Sequence, residues 1–273
     1  MVDCSYTGNG ITLIEFLSSR LGISRGKAKE IIDQRRVFVN GMRVWMARHV
    51  LKAGDQITGA FHAEKPAEIK RASILYEDHD YLIADKPAGI LSNGPQGLEN
   101  KLIALLGCQE LAACHRLDKD TSGCLIFARY RQAKERIIPL FAQNKITKKY
   151  EAVIRGLLPQ ETMTITAPLD NQRAVTRIRR LDATPAASHV AVVIETGRTH
   201  QIRKHLAAIG HPVLGDRQYG AGRAVPRRER SIARQMLHAV EISFRQPFTG
   251  LPVRCRIELP DDFRECLRKY CLK

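Results

Sequence analysis

His115-Arg116-Leu117-Asp118-Lys119-Asp120-Thr121-Ser122-Gly123 runs directly into the apolar stretch Cys124-Leu125-Ile126-Phe127-Ala128. The first nine residues are polar, basic and turn-forming, whereas the next five have the length and composition of a buried strand. An aspartate in such a segment serves structure mainly as a turn cap, and Asp120, just before Thr121, has the better position for that. An aspartate here is a better candidate for a carboxylate displayed at the mouth of a cleft than for a purely structural role. The polypeptide around it therefore reads as a globular domain whose chemistry sits where a loop enters a strand.

Composition narrows the partner. The 273 residues are enough for one large domain or two unequal ones, and a hydrophobic content of 44% fits a folded protein. Lys and Arg number 44 against 28 Asp and Glu, a formal charge of +16 that favours a polyanion such as nucleic acid. The longest apolar runs fall far short of the ~20 residues of a membrane span. Met1-Val2-Asp3-Cys4-Ser5 lacks the basic and apolar regions of a signal peptide. Seven cysteines with no CxxC pair point to reduced thiols and a cytoplasmic protein. Cys108, Cys114 and His115 have the wrong spacing for a zinc site, so no metal is expected.

Towards the N-terminus, Leu13, Ile14, Phe16, Leu17 and Leu21 form an apolar stripe at helical spacing that ends at Gly22. Ser24 suits the N-cap of a second helix, Arg25 to Gln34, with Ala28, Ile31 and Ile32 inside. Arg25, Lys27 and Lys29 face outward, and Arg35 and Arg36 follow. Val37-Phe38-Val39-Asn40-Gly41 is an alternating strand closing on an Asn-Gly hairpin turn, and Lys52 to Ile57 is a turn feeding another strand. This order resembles the S4 RNA-binding domain over roughly residues 11–60. The resemblance implies a small helical (α-L) domain, residues 1–65, in which Arg25, Lys27, Lys29, Arg35 and Arg36 meet an RNA backbone. Contacts of that kind position a protein without reading sequence.

Residues 62–71, with Pro66, read as a linker. Strands are expected at 81–84, 125–128, 150–155, 189–195 and 253–259, and helices at 100–106, 132–143, 199–209 and 262–267. The mixture predicts an α+β domain, residues 66–273, on a mixed, mostly antiparallel sheet flanked by helices. Neither GxGxxG nor a Walker motif is present, which disfavours a doubly wound nucleotide-binding fold.

Five further segments stand in order with the nonapeptide: Asp85-Lys86-Pro87-Ala88-Gly89, Lys148-Lys149-Tyr150-Glu151-Ala152, Thr196 to Arg203 (TGRTHQIR), Gly210 to Asp216 with Tyr219-Gly220, and Leu237-His238-Ala239. Together they resemble the RluA-type pseudouridine synthases over about residues 72–262. Two positions depart from the family pattern: Ser92-Asn93 where a Val-His pair is common, and Gln246 in the late "F-x-H-P". Both are expected to bear on substrate fit more than on activity.

Making pseudouridine breaks the C1′–N1 bond of uridine, turns the base and joins C5 to C1′. Nothing is oxidised and no group is imported, so no cofactor is required. The reaction needs an ionised carboxylate beside the ribose, in chemistry comparable to that of glycosidases. The resemblance assigns this to Asp118, with Arg203 as its ion-pair partner and Tyr150 as a phenol that stacks on the base or relays a proton. Whether Asp118 attacks C1′, attacks C6 or assists elimination stays open. Arg116 is expected to fill the gap left by an extruded uridine, and Arg198 to contact RNA. His115 and His200 are expected to hold loop backbone. Arg173, Arg177, Arg179 and Arg180, with Arg217, Arg223, Arg227, Arg228, Arg230 and Arg234, are expected to flank the cleft and attract phosphate. The expected partner is RNA, ribosomal RNA of the large subunit ahead of transfer RNA, and nothing requires more than a monomer. The competing reading is a non-catalytic S4-type RNA-binding or assembly factor. A methyltransferase or glycosidase lacks the nucleotide-cofactor loop or second placed carboxylate it would need.

Overall fold

Thr12 and Glu15 form a capping box at the head of the first helix: the Thr12 N–H and hydroxyl donate to Glu15 Oε2 at 3.1 and 2.7 Å. The computed structural model describes residues 2–8, 10–21, 23, 25–33, 37–59, 69–220, 226–229 and 231–273. The chain divides into two compact units, Met1–Glu68 and Ile69–Lys273. The expected boundary between residues 65 and 66 lies outside the described residues, as do Gly22, Ser24, Arg35 and Arg36.

The first unit contains β1 (Val2–Ser5), α1 (Leu13–Leu21), α2 (Arg25–Asp33), β2 (Val37–Val39), β3 (Met42–Arg43) and β4 (Gln56–Gly59). Both expected helices are present, and beside them lies an antiparallel sheet in the order β1-β4-β2-β3. Leu13 and Leu17 of α1 meet Ala28 and Ile32 of α2 and Val37, Val39 and Ile57 of the sheet in one core. Each fully buried Leu, Ile or Val in this core contributes roughly 1.5–3 kcal/mol. Asn40 takes a left-handed φ of 51°, as an Asn-Gly hairpin demands.

The second unit runs β5 (Ile74–Glu77), β6 (Tyr81–Lys86), α3 (Leu98–Leu106), β7 (Ala112–Ala113), β8 (Ser122–Ala128), α4 (Arg131–Ala142), β9 (Thr147–Arg155), β10 (Thr162–Ile165), β11 (Thr176–Ala183), β12 (Ala187–Ile194), α5 (Gln201–Ala208), β13 (Leu237–Arg245), β14 (Pro252–Arg256) and α6 (Asp261–Lys269). Its sheet has the order β10-β11-β12-β9-β13-β8-β6-β5, with β14 paired to β13 and β7 to β8. The β13–β8 pair is parallel, while the neighbouring pairs are antiparallel.

The apolar run Cys124–Ala128 is continuous because β8 is covered on both faces. Leu125 and Phe127 join the large core with α3, α5 and α6, whereas Cys124, Ile126 and Ala128 join a second core beneath α4. Strand β11 escaped the sequence reading because arginines occupy its outward positions. In β13 the polar His238 and Glu241 are buried and paired, which disguised that strand. Strand β14 stops at Arg256, short of the expected Leu259.

Candidate active site

Where β8 begins, its parallel contact with β13 pairs Ser122 with His238 and Gly123 with Ala239. Gly123 has φ +119°, and a Cβ there would overlap the Ala239 carbonyl. Only glycine meets both conditions. This tight junction sets where the loop carrying Asp118 leaves the sheet.

Almost every residue of that loop is tied down. The Ser92 hydroxyl donates to the Leu117 carbonyl and accepts the Leu117 N–H, each at 2.9 Å. Lys86 is fully buried, and its ammonium donates to the carbonyls of Pro87, Ile90 and Lys119 at 3.0, 2.8 and 2.9 Å. Burial pulls its pKa down to about 7. The Thr121 N–H closes a turn onto Asp118 O, Arg234 donates to Asp120 O, and Gln235 donates to the Thr121 hydroxyl. Among the described residues no side-chain hydrogen bond from Asp120 caps this turn; backbone and Arg234 do the work expected of it.

The facing wall comes from the loop Thr196–His200 and helix α5. Gln201 is buried and accepts the Arg198 N–H at 3.1 Å and the Thr196 hydroxyl at 2.7 Å, which shapes the loop. Helix α5 therefore starts at Gln201, not at Thr199, with His200 left-handed at φ 56°. One turn on, Arg203 reaches the loop of Asp118, 85 residues away in sequence: its Nη1 donates to Asp118 Oδ2 at 2.9 Å. Its other edge is clamped by Asp216, with Nε to Oδ2 at 2.6 Å and Nη2 to Oδ1 at 3.0 Å. Asp216 Oδ1 also accepts the N–H groups of Gln218 and Tyr219 at 3.0 Å. Burial opposes the charge on Arg203, but the bonds to Asp216 and Asp118 outweigh it and raise its pKa. Burial likewise opposes the Asp216 carboxylate, and the Arg203 bonds hold its pKa below the usual range.

Asp118, Tyr150 and Arg203 all line one cleft of about 870 Å³, together with Arg116, Lys148, Arg173, Arg198 and His200. The Asp118 side chain is 24% exposed, open enough to meet a ligand. Tyr150 is almost fully buried on β9, and burial followed by the Asp118 charge raises its phenol pKa. It is a neutral hydroxyl at physiological pH. Lys148 is pushed down to about 8 by burial.

The sequence reading missed Asp216, Lys86 and Ser92 as parts of this assembly, although the motifs holding the first two had been noted. Ser92, a departure from the family pattern, braces the residue before Asp118. Gln246, the other departure, lies outside the cleft lining: it is buried, donates to Asp80 at 2.5 Å and accepts the Phe248 and Thr249 N–H groups. His115 does hold backbone, accepting the Ile126 N–H at 3.2 Å, and burial lowers its pKa to about 3. His200 differs, standing 3.8 Å from Asp118 and 2.9 Å from the Tyr219 hydroxyl.

Several basic residues have other employment. Arg234 is buried, bidentate to Asp262 and bonded to three carbonyls, because it braces the loop from below. Arg180 donates to the carbonyls of Leu158 and Pro159, and Arg177 pairs with Glu195. Arg116 and Arg198 are exposed at the cleft rim. In the first unit Arg25 and Lys29 are exposed, with Arg25 paired to Glu15 at 2.7 Å. The side chains of Lys27 and Arg227, and residues Arg223 and Arg230, lie outside the described residues.

Comparison with known proteins matches this arrangement. The family profile "RNA pseudouridylate synthase" matches residues 80–208, and the S4 domain profile matches residues 12–57. A Bacillus subtilis (strain 168) protein named as an uncharacterized RNA pseudouridine synthase is 33% identical, over 89% of this chain and 88% of its own length. Ribosomal large subunit pseudouridine synthase D of Vibrio cholerae serotype O1 is 29% identical over 89% and 85%. The solved structure of human RNA pseudouridylate synthase domain containing 4 superposes with a TM-score of 0.63, covering 74% of this chain and 94% of that one at 24% identity. Among the described residues no helix is long and apolar enough to cross a membrane. The chain belongs to the RluA-type RNA pseudouridine synthases and carries an S4 domain ahead of the synthase fold.

Proposed function

We propose that this enzyme isomerises uridine in large-subunit ribosomal RNA, with Asp118 as the carboxylate that acts on the nucleotide. The reading rests on one observation above the rest: a partly open carboxylate bonded to a buried, doubly clamped arginine in a basic cleft. A uridine inside a folded RNA is out of reach of such a carboxylate, so it is flipped into the cleft, and Arg116 fills the space it leaves. Tyr150 supports the base as a neutral phenol. Arg173 and Arg198 attract the flanking phosphates. As C5 joins C1′, the C5 proton leaves and N1 takes one up, so the atoms balance without a co-reactant.

The ribosomal target is supported by the similarity to large-subunit synthases and by the S4 unit, in which Arg25, Lys27, Lys29, Arg35 and Arg36 are proposed phosphate contacts. We place the enzyme in the cytoplasm, acting as a monomer, with its seven cysteines unpaired. The test is release of tritium from RNA labelled at uracil C5. Wild-type protein releases it, and folded Asp118→Asn and Asp118→Ala do not. Release by a folded Asp118 variant refutes the assignment, and absence of release by wild-type protein on ribosomal and transfer RNA favours a non-catalytic binding factor. Mapping pseudouridine in cells with and without the gene separates the two RNA classes.

A further inference from the structure

The largest exposed apolar side chains of the S4 unit lie together in its sequence. Met42, Trp45, Met46 and Val50 are 72%, 60%, 60% and 53% exposed, four of the eleven large exposed hydrophobics among the described residues, within nine positions. Arg43, Arg48 and Lys52 are exposed among them, and no acidic residue falls between Val37 and Gly54. Asp55, the first acid beyond, is already engaged by the Lys52 N–H and the Asn40 amide, each at 2.8 Å.

The backbone beneath these side chains is fixed. Val44 N–H donates to Val37 O at 3.0 Å, and the His49 N–H closes a turn onto Met46 O at 3.0 Å. The carbonyls of Ala47 and His49 accept the N–H groups of Ile14 and Leu13 at 3.1 and 2.7 Å, satisfying donors at the start of α1. Val44 and Ala47 pack against the core while Trp45, Met46, Arg48 and Val50 face solvent. Arg43 stacks over the Phe38 ring at 5.4 Å. A bare indole on a hydrogen-bonded ledge, between arginines that no carboxylate pairs among the described residues, matches the elements that hold single-stranded nucleic acid: an aromatic face for the base and positive charge for the phosphates. An apolar protein partner would find arginines on the same ledge, and duplex RNA offers no free base to cover an indole.

We infer that Trp45 is a stacking platform for the base of an unpaired nucleotide, flanked by Arg43 and Arg48 as phosphate contacts, so that the S4 unit grips a loop or bulge and not only a duplex backbone. The inference deepens the RNA reading above and rests on it. Trp45 is the sole tryptophan of the chain, so tryptophan emission reports this position alone. Titrating the full chain with a short single-stranded oligoribonucleotide quenches that emission, and a blunt duplex of the same composition does not. Trp45→Ala weakens single-strand binding by roughly 5- to 150-fold, the range of one base–aromatic stack, while Trp45→Phe keeps most of it. Thermal melts confirm that both variants fold.

Wild-type affinity in Trp45→Ala overturns the inference. So does single-strand binding seen by anisotropy without quenching, or no RNA binding at all. Emission that changes with protein concentration alone, together with a dimer in sedimentation, makes the ledge an interface between copies and also overturns it. Tritium release tells the two readings apart: release with no effect at Trp45 removes only the stack, whereas quenching without release removes the catalytic reading.

Discussion

Asp216→Asn tests how the cleft is assembled. The Asp216 side chain is fully buried and that of Arg203 is 7% exposed, so the pair is sealed from water. Asp216 Oδ1 accepts three N–H groups and Oδ2 accepts Arg203 Nε. An asparagine can keep its oxygen at the Oδ1 position, but its NH2 then faces the Nε–H, donor against donor. Removing one partner of a buried ion pair costs about 3–5 kcal/mol, which lowers the melting temperature of a unit this size by roughly 6–20 °C. Arg203 is left with Asp118 as its sole carboxylate and loses its fixed position, and displacement of about 1 Å at a reacting centre costs roughly 100-fold in rate. Denaturant titration and tritium release measured on the same preparation give both numbers. Adding Arg203→Met to Asp216→Asn removes the stranded charge and recovers part of the stability without recovering activity. Wild-type stability and rate in Asp216→Asn would refute the clamp.

Two further outcomes follow from buried groups. Gly123→Ala places a methyl against the Ala239 carbonyl at a positive φ, so it destabilises by about 1–3 kcal/mol and slows release by moving the loop; an unchanged denaturation midpoint contradicts this. His238 is fully buried and its pKa falls from 6.5 to about 4, mainly through burial. The unfolded chain therefore binds a proton that the folded one refuses, and stability drops as pH falls below 6.5, by about 2 kcal/mol at pH 5 from this residue, until the folded form protonates near pH 4. His115 and His205 are shifted in the same direction. His238→Gln lessens the slope of stability against pH between 6.5 and 4, and an identical slope in that variant would remove His238 as a cause.

Local patterns carried much of this protein into view. The apolar stripe of α1, the Asn-Gly hairpin, the run Cys124–Ala128 and the loop before it are legible because helical period, strand length and turn chemistry act between near neighbours. The ordered motifs pointed to Asp118, Tyr150 and Arg203. How these residues are held was decided by tertiary structure alone. Asp216 clamping Arg203, Lys86 feeding three carbonyls, Ser92 bracing Leu117 and Arg234 lying beneath Asp120 are pairings of buried polar groups. Burial makes such a group find a partner, yet the partner is whichever side chain the packed sheet brings near, and one-dimensional spacing holds no record of that. Arg234 reads in sequence like the exposed arginines near it; only the closeness of β8 to β13 makes it a brace.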